Sequence, residues 1–161
     1  MGTSTRDLHI YESGSGGELV LLNGDLVLAE SLYQTIYIAL FGGNVEASTL
    51  GNEIESEERF DYWANSLIYK DNISKQFNSK TEKTLSEVTI NTAGRLKIKS
   101  VVEEDLLFLK NIVNLKVNIV ILSTDKIEIN LILNSIPNQE NKQFQFIWDN
   151  AKKEIIIDKI I

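Results

Sequence analysis

The stretch VNIVILSTDKIEINLILNSIPNQENKQFQFIW, residues 117 to 148, decides how the chain is read. Apolar side chains take every second position in three segments: Val117, Ile119 and Ile121; then Ile127, Ile129, Leu131 and Leu133; then Phe144, Phe146 and Trp148. Lys116, Asn118, Lys126, Glu128, Asn130, Gln143 and Gln145 alternate with them. Successive side chains of a strand point to opposite faces, so this pattern predicts antiparallel strands with one face on a core and the other in water. Ser123-Thr124-Asp125 supplies a short hairpin loop, and Pro137 to Asn141, around the single proline of the chain, a longer polar one. The expectation is a three-stranded meander whose apolar face needs a cover.

The segment just before it, Arg95 to Leu115, is the candidate cover. Val101, Val102, Leu106, Leu109, Ile112 and Val113 fall largely on one helical face. Glu103-Glu104-Asp105 read as the beginning of this amphipathic helix, where carboxylates meet a helix N-terminus favourably. Gly94 reads as the break between it and an earlier helix, which opens with Ser79 and Glu82 in capping-box spacing.

Further upstream, Asn23-Gly24 lies between two apolar runs and predicts a β-hairpin over Leu19 to Leu28, because both residues tolerate positive φ. Leu8 to Tyr11 is a candidate strand, and Ser13 to Gly17 a flexible linker within an N-terminal segment of residues 1–17. Leu32, Ile36, Ala39 and Leu40 recur at helical spacing, with Ser31 to start the helix and Gly42-Gly43 to stop it; Ile36, Tyr37 and Ile38 would also suit a strand. Residues 44–72 lose periodicity and read as a long loop. It carries Glu53, Glu55, Glu57 and Glu58, whose mutual repulsion favours solvation, and then Phe60, Tyr62 and Trp63. Those rings pin the loop to a core or to a partner. Residues 150–161 are β-branched and form either an added strand or an exposed tail. The predicted class is α+β: an antiparallel β-meander covered by two or three helices, with an N-terminal β-hairpin, in a single domain spanning residues 1–161.

Composition narrows the function classes. The chain has 161 residues, 43% hydrophobic and 24% charged, enough for one domain that buries roughly 70% of its unfolded surface. It lacks cysteine and has one histidine, His9, which leaves no disulfide or thiolate site and makes an ordinary zinc site implausible. His9 reads as a surface residue. A net charge of −7 argues against a nucleic-acid binder, and Arg95, Lys97, Lys99 and Lys110 are interspersed with acids as on a solvated helix face. No apolar run approaches the roughly 18 residues of a membrane span, and the N-terminus has no signal-peptide layout. A reducing cytosol suits this composition.

"NGDLVLAESLYQTIYIALFGG", "FDYWANSL", "GRLKIKSVVEEDLLFLKNI" and "FQFIWDN" follow one another in the order found in a small baseplate-wedge protein family of Mu-like contractile-tailed phages, which the chain resembles over about residues 18 to 149. That family is sometimes described as lysozyme-like. Its usual double Trp is Tyr62-Trp63 here, and its Gly-Asp is Ala64-Asn65. The resemblance implies a structural protein of the virion: a baseplate wedge subunit, assembled in the host cell cytoplasm, that binds other wedge proteins and the start of the tail sheath. It implies several copies per sixfold baseplate and no cofactor. The site residues it points to are interface residues, Phe60, Tyr62 and Trp63 toward wedge neighbours and Ile155, Ile156 and Ile157 as a strand given or received.

Two other classes make different demands on the sequence. A peptidoglycan-cleaving, lysozyme-like tail enzyme needs paired carboxylates across a cleft, one of them in an apolar pocket. The acids here are instead grouped in a loop and along a helix, and no nucleophile motif accompanies them. Gly14 to Gly17 lacks the Lys-Ser/Thr of a phosphate loop. An adaptor of a related contractile bacteriocin or injection system would carry the same sequence features as a phage wedge.

Overall fold

In the computed structural model the described residues are 6–12, 17–42, 69–72, 75, 78–135 and 141–160. The chain divides into two compact units, Met1–Lys83 and Thr84–Ile161.

The first unit is built on short antiparallel strands: β1 (Arg6–Leu8), β2 (Ile10–Glu12), β3 (Gly17–Leu19), β4 (Leu21–Leu22), β5 (Asp25–Leu26) and β6 (Leu28–Glu30). They pair as β1 with β6, β2 with β3, and β4 with β5. The three ladders meet at His9, Val20 and Val27. There the His9 N–H bonds to the Val27 carbonyl at 2.9 Å, the Val20 N–H to the His9 carbonyl at 3.0 Å, and the Val27 N–H to the Val20 carbonyl at 3.0 Å. One long strand thus changes partner at His9, and the β4–β5 hairpin leaves the junction as a side branch. The predicted Asn23-Gly24 hairpin is present, with φ of 54° and 83° at its two turn residues.

Helix α1 (Ser31–Phe41) follows directly. Ile36 and Leu40 are fully buried as their spacing predicts, and Tyr33, Tyr37 and Phe41 are buried beside them. These three rings lie one turn apart, with centroids 6.3 and 5.6 Å apart. His9 is half-buried rather than a surface residue, edge-on to Tyr33 with centroids 6.0 Å apart. The helix stops at Gly42, where a Cβ would collide with the Ile38 carbonyl oxygen. Ser79 shows the predicted cap: its Oγ accepts the Glu82 N–H at 3.2 Å and also donates to the Leu40 carbonyl, so one hydroxyl serves the start of one helix and the end of another.

In the second unit, α2 (Lys80–Glu87, whose start belongs to the first unit) is followed by α3 (Thr92–Asp105), a 3₁₀ helix (Leu107–Asn111), and four strands. These are β7 (Val113–Ile121), β8 (Lys126–Ser135), β9 (Asn141–Asp149) and β10 (Glu154–Ile160), in the order β10-β9-β8-β7, all antiparallel. The predicted meander is present, and its alternation holds except at Ile121, which is 37% exposed at the end of β7, and at the end of β9, where Ile147 and Asp149 are buried as well as Trp148. Val117, Ile119, Ile127, Ile129, Leu131, Leu133, Phe144, Phe146 and Trp148 are buried on one face, each such burial stabilising by about 1.5–3 kcal/mol before the entropy of ordering is counted. The residues between them on β7 and β8, including Asn114, Lys116, Asn118, Glu128 and Asn130, are exposed or half-buried. The C-terminal run resolves its alternatives as an added fourth strand.

Three local expectations change. The cover is shorter than residues 95–115, because α3 ends at Asp105 and β7 already begins at Val113, pairing with Ser135; β-branched Val113 and period-two alternation through Lys116 favour the ladder once β8 is there to pair. Ile98, Val102, Leu106 and Leu109 supply the buried stripe, whereas Ile112 is 58% exposed. Gly94 does not break a helix. It sits in the first turn of α3, its N–H bonded at 2.8 Å to Oδ1 of the N-cap Asn91, and a Cβ there would collide with the Thr89 carbonyl oxygen. Glu103, Glu104 and Asp105 end α3 instead of beginning it, so they face the negative pole of the helix dipole, offset in part by an exposed Lys99–Glu103 pair at 3.7 Å.

The β9–β10 connection is held by Asp149. Its Oδ1 accepts the N–H groups of Ala151 and Lys152 at 3.0 and 3.2 Å, and Lys153 closes the turn with φ of 58°. Lys153 Nζ reaches the Asn150 side chain at 2.8 Å and the Ser86 carbonyl at 2.7 Å.

Candidate interaction surfaces

The β4–β5 hairpin has only two paired rungs, Leu21 with Leu26 and Leu22 with Asp25. A ribbon that small cannot cover its own side chains, since burial in a sheet comes from a packed face and this one has two rungs at the end of a branch. Leu21, Leu22 and Leu26 are accordingly 64%, 65% and 44% exposed, and Leu19 and Leu28, in β3 and β6 beside the base of the hairpin, are 47% and 52% exposed. The tip is held in shape nevertheless, by the positive-φ turn and by the Leu26 N–H bonded to Asp25 Oδ1 at 2.8 Å. The segment from Gly17 to Glu30 contains Glu18, Asp25 and Glu30 and no basic residue. The result is a preshaped apolar knob with an acidic sequence around it, the kind of patch that marks a protein contact.

The second unit has its own exposed apolar residues: Leu96, Leu107, Phe108 and Ile112, from 49% to 60% exposed, and Val120, Ile121 and Leu122 at the far end of β7. Leu107 and Phe108 point outward because a 3₁₀ turn places successive residues about 120° apart and only Leu109 of that turn is buried.

Of the residues singled out in the sequence, Phe60, Tyr62 and Trp63 lie outside the described residues. Ile155, Ile156 and Ile157 belong to β10, where Ile155 is opposite Trp148 and Ile157 opposite Ile147, with a register shift between them. Their strand is therefore occupied on one side by β9, and only its other side forms a sheet edge. The Asn23-Gly24 signal predicts a hairpin over Leu19 to Leu28 but does not by itself mark its leucines as a surface. The signal was there: apolar residues sit on both sides of a two-residue turn, where a half-buried hairpin would alternate.

Among the described residues no group of three or more His, Asp or Glu is placed to hold a metal ion, and no helix is long and apolar enough to cross a membrane. The chain matches no family model, no curated protein and no solved structure.

Proposed function

We propose that this chain is a structural wedge subunit of a contractile phage tail baseplate, binding other wedge proteins and the start of the tail sheath. The observation that carries the reading is the leucine hairpin. Leu21, Leu22 and Leu26 on the two-rung hairpin, with Leu19 and Leu28 beside its base, cost hydration free energy in a free chain and recover it when a neighbouring subunit covers them. The order of the four sequence segments, which resembles that of the baseplate-wedge family, supports the same conclusion. In this reading the hairpin and the aromatic residues Phe60, Tyr62 and Trp63 contact wedge neighbours, and Ile155, Ile156 and Ile157 of β10 contact the sheath side. The chemistry is burial and strand pairing; no substrate is turned over.

The test is co-expression with the products of the two flanking genes, followed by size exclusion with light scattering. A complex of defined ratio that is lost when Leu21 and Leu22 are both changed to Ser is the expected result. A chain that associates with neither neighbour overturns the reading.

A further inference from the structure

The two edges of the four-stranded sheet are built differently. β10 carries a register shift between Ile155 and Ile157, and its sequence includes Asp158 and Lys159. Bulges and charges are the usual means of keeping an edge strand from pairing with another chain. β7 has no bulge and little charge. It runs nine residues in unbroken register with β8, contains no proline, and its single charge is Lys116. Among the described residues no strand lies on its other side.

The groups that this edge offers follow from the hairpin. Leu122 donates its N–H to the Lys126 carbonyl at 2.9 Å, so residues in step with Leu122 turn their backbone groups toward β8. Antiparallel ladders alternate strictly, and the N–H and C=O groups of Val113, Leu115, Val117, Ile119 and Ile121 are left facing outward.

We propose that β7 pairs with β7 of a second copy of this chain, antiparallel about a two-fold axis at Val117, joining the two sheets into one of eight strands. Three features select that partner and that register. Val117 meets its own counterpart, Leu115 meets Ile119 and Val113 meets Ile121, so the apolar face continues across the axis with apolar residues opposite apolar ones. On the other face Lys116 meets Asn118, whereas moving the axis by one residue to Lys116 would set two ammonium groups directly opposite. Beyond the strand ends, the same register puts Ile112 opposite Leu122, two side chains that are 58% and 46% exposed in the single chain. Moving the axis to Asn118 would instead put Ile112 opposite Thr124. The pairing therefore satisfies the free backbone groups and covers the apolar residues that flank them at both ends.

The test uses the full chain alone, in sedimentation velocity over a range of concentrations. A monomer–dimer equilibrium is expected. Asn118→Lys puts like charges opposite Lys116 twice per dimer and should weaken dimerisation on the order of threefold to thirtyfold, while Asn118→Glu should strengthen it by a similar factor. Both substitutions are at an exposed position and should leave the circular dichroism spectrum and melting temperature unchanged. A second measurement needs no charge effect. The chain has no cysteine, and positions 116 and 118 would face each other as a non-hydrogen-bonded pair, close enough for a disulfide. Under mild oxidation Lys116→Cys and Asn118→Cys chains should cross-link when mixed and not separately. A chain that stays monomeric at every concentration, leaving the edge to a foreign strand, overturns the proposal, as does cross-linking of Asn118→Cys chains with themselves.

Discussion

Asp149 Oδ2 lies 3.8 Å from Lys126 Nζ, while Oδ1 of the same carboxylate accepts two backbone N–H groups of the next turn. Asp149 is 6% exposed and Lys126 opposes it across the β8–β9 ladder, so one buried acid joins the start of β8 to the β9–β10 turn. The lysine is 45% exposed, and its attraction is screened accordingly. The two N–H bonds are the larger contribution.

Asp149→Ala should therefore destabilise the chain by about 1–3 kcal/mol, since it leaves two N–H groups in a part-buried turn without their acceptor. Asp149→Asn keeps an acceptor oxygen and should lose less than half of that. Urea denaturation of the three proteins checks the order; equal losses for Ala and Asn would assign the effect to charge instead.

At Gly94, Ala should be destabilising although it is the better helix former by about 1 kcal/mol, because the added Cβ meets the Thr89 carbonyl oxygen. Asn91→Ala should cost about 1 kcal/mol through loss of the cap on the Gly94 N–H. Thermal melts of the two variants decide this, and a stabilised Gly94→Ala protein would show that the chain around Thr89 can give way.

Trp148 is 3% exposed, and its Nε1 has no hydrogen-bond partner among the described residues. Removing an unsatisfied donor recovers part of the cost of lost volume, so Trp148→Phe should cost only about 1–2 kcal/mol. Phe146→Ala, on the same strand and fully buried, should cost about 3–5 kcal/mol. The comparison is again by chemical denaturation, and a Trp148 loss as large as that at Phe146 would mean that the indole nitrogen is satisfied in solution.

Changing Leu21 and Leu22 to Ser should shift the stability of the free chain by no more than about 0.5 kcal/mol, because both side chains are already about two-thirds exposed. Binding to a co-expressed neighbour should fall sharply. Parallel melting and pull-down measurements separate the two effects; a large stability loss would make the hairpin part of the core.

Deleting Glu154 to Ile161 should do more than remove a contact. It uncovers the β9 edge, so concentration-dependent aggregation is expected together with poorer incorporation into tails. Light scattering of the truncated chain checks the first, and particle composition the second. Normal incorporation by a soluble truncated chain would remove β10 from the interface.

What the sequence determined by itself was everything written in short-range periodicity or in one or two special residues. The alternation from Val117 to Trp148 specified three strands and their buried face, Asn23-Gly24 the hairpin turn, and Ser79 with Glu82 a helix start, because each is decided by the geometry of a few consecutive residues. Tertiary structure decided what depends on a partner distant in the chain. Val113 joins a strand and not a helix because Ser135 is there to pair with it. The C-terminal run becomes β10 because β9 has a free side. His9 sits where three ladders meet because Val20 and Val27 bond to it and to each other. Which leucines remain uncovered was decided at the same level. Apolar character is a property of the residue, but exposure follows from how many neighbours the fold can bring to it, and a two-rung branch brings almost none.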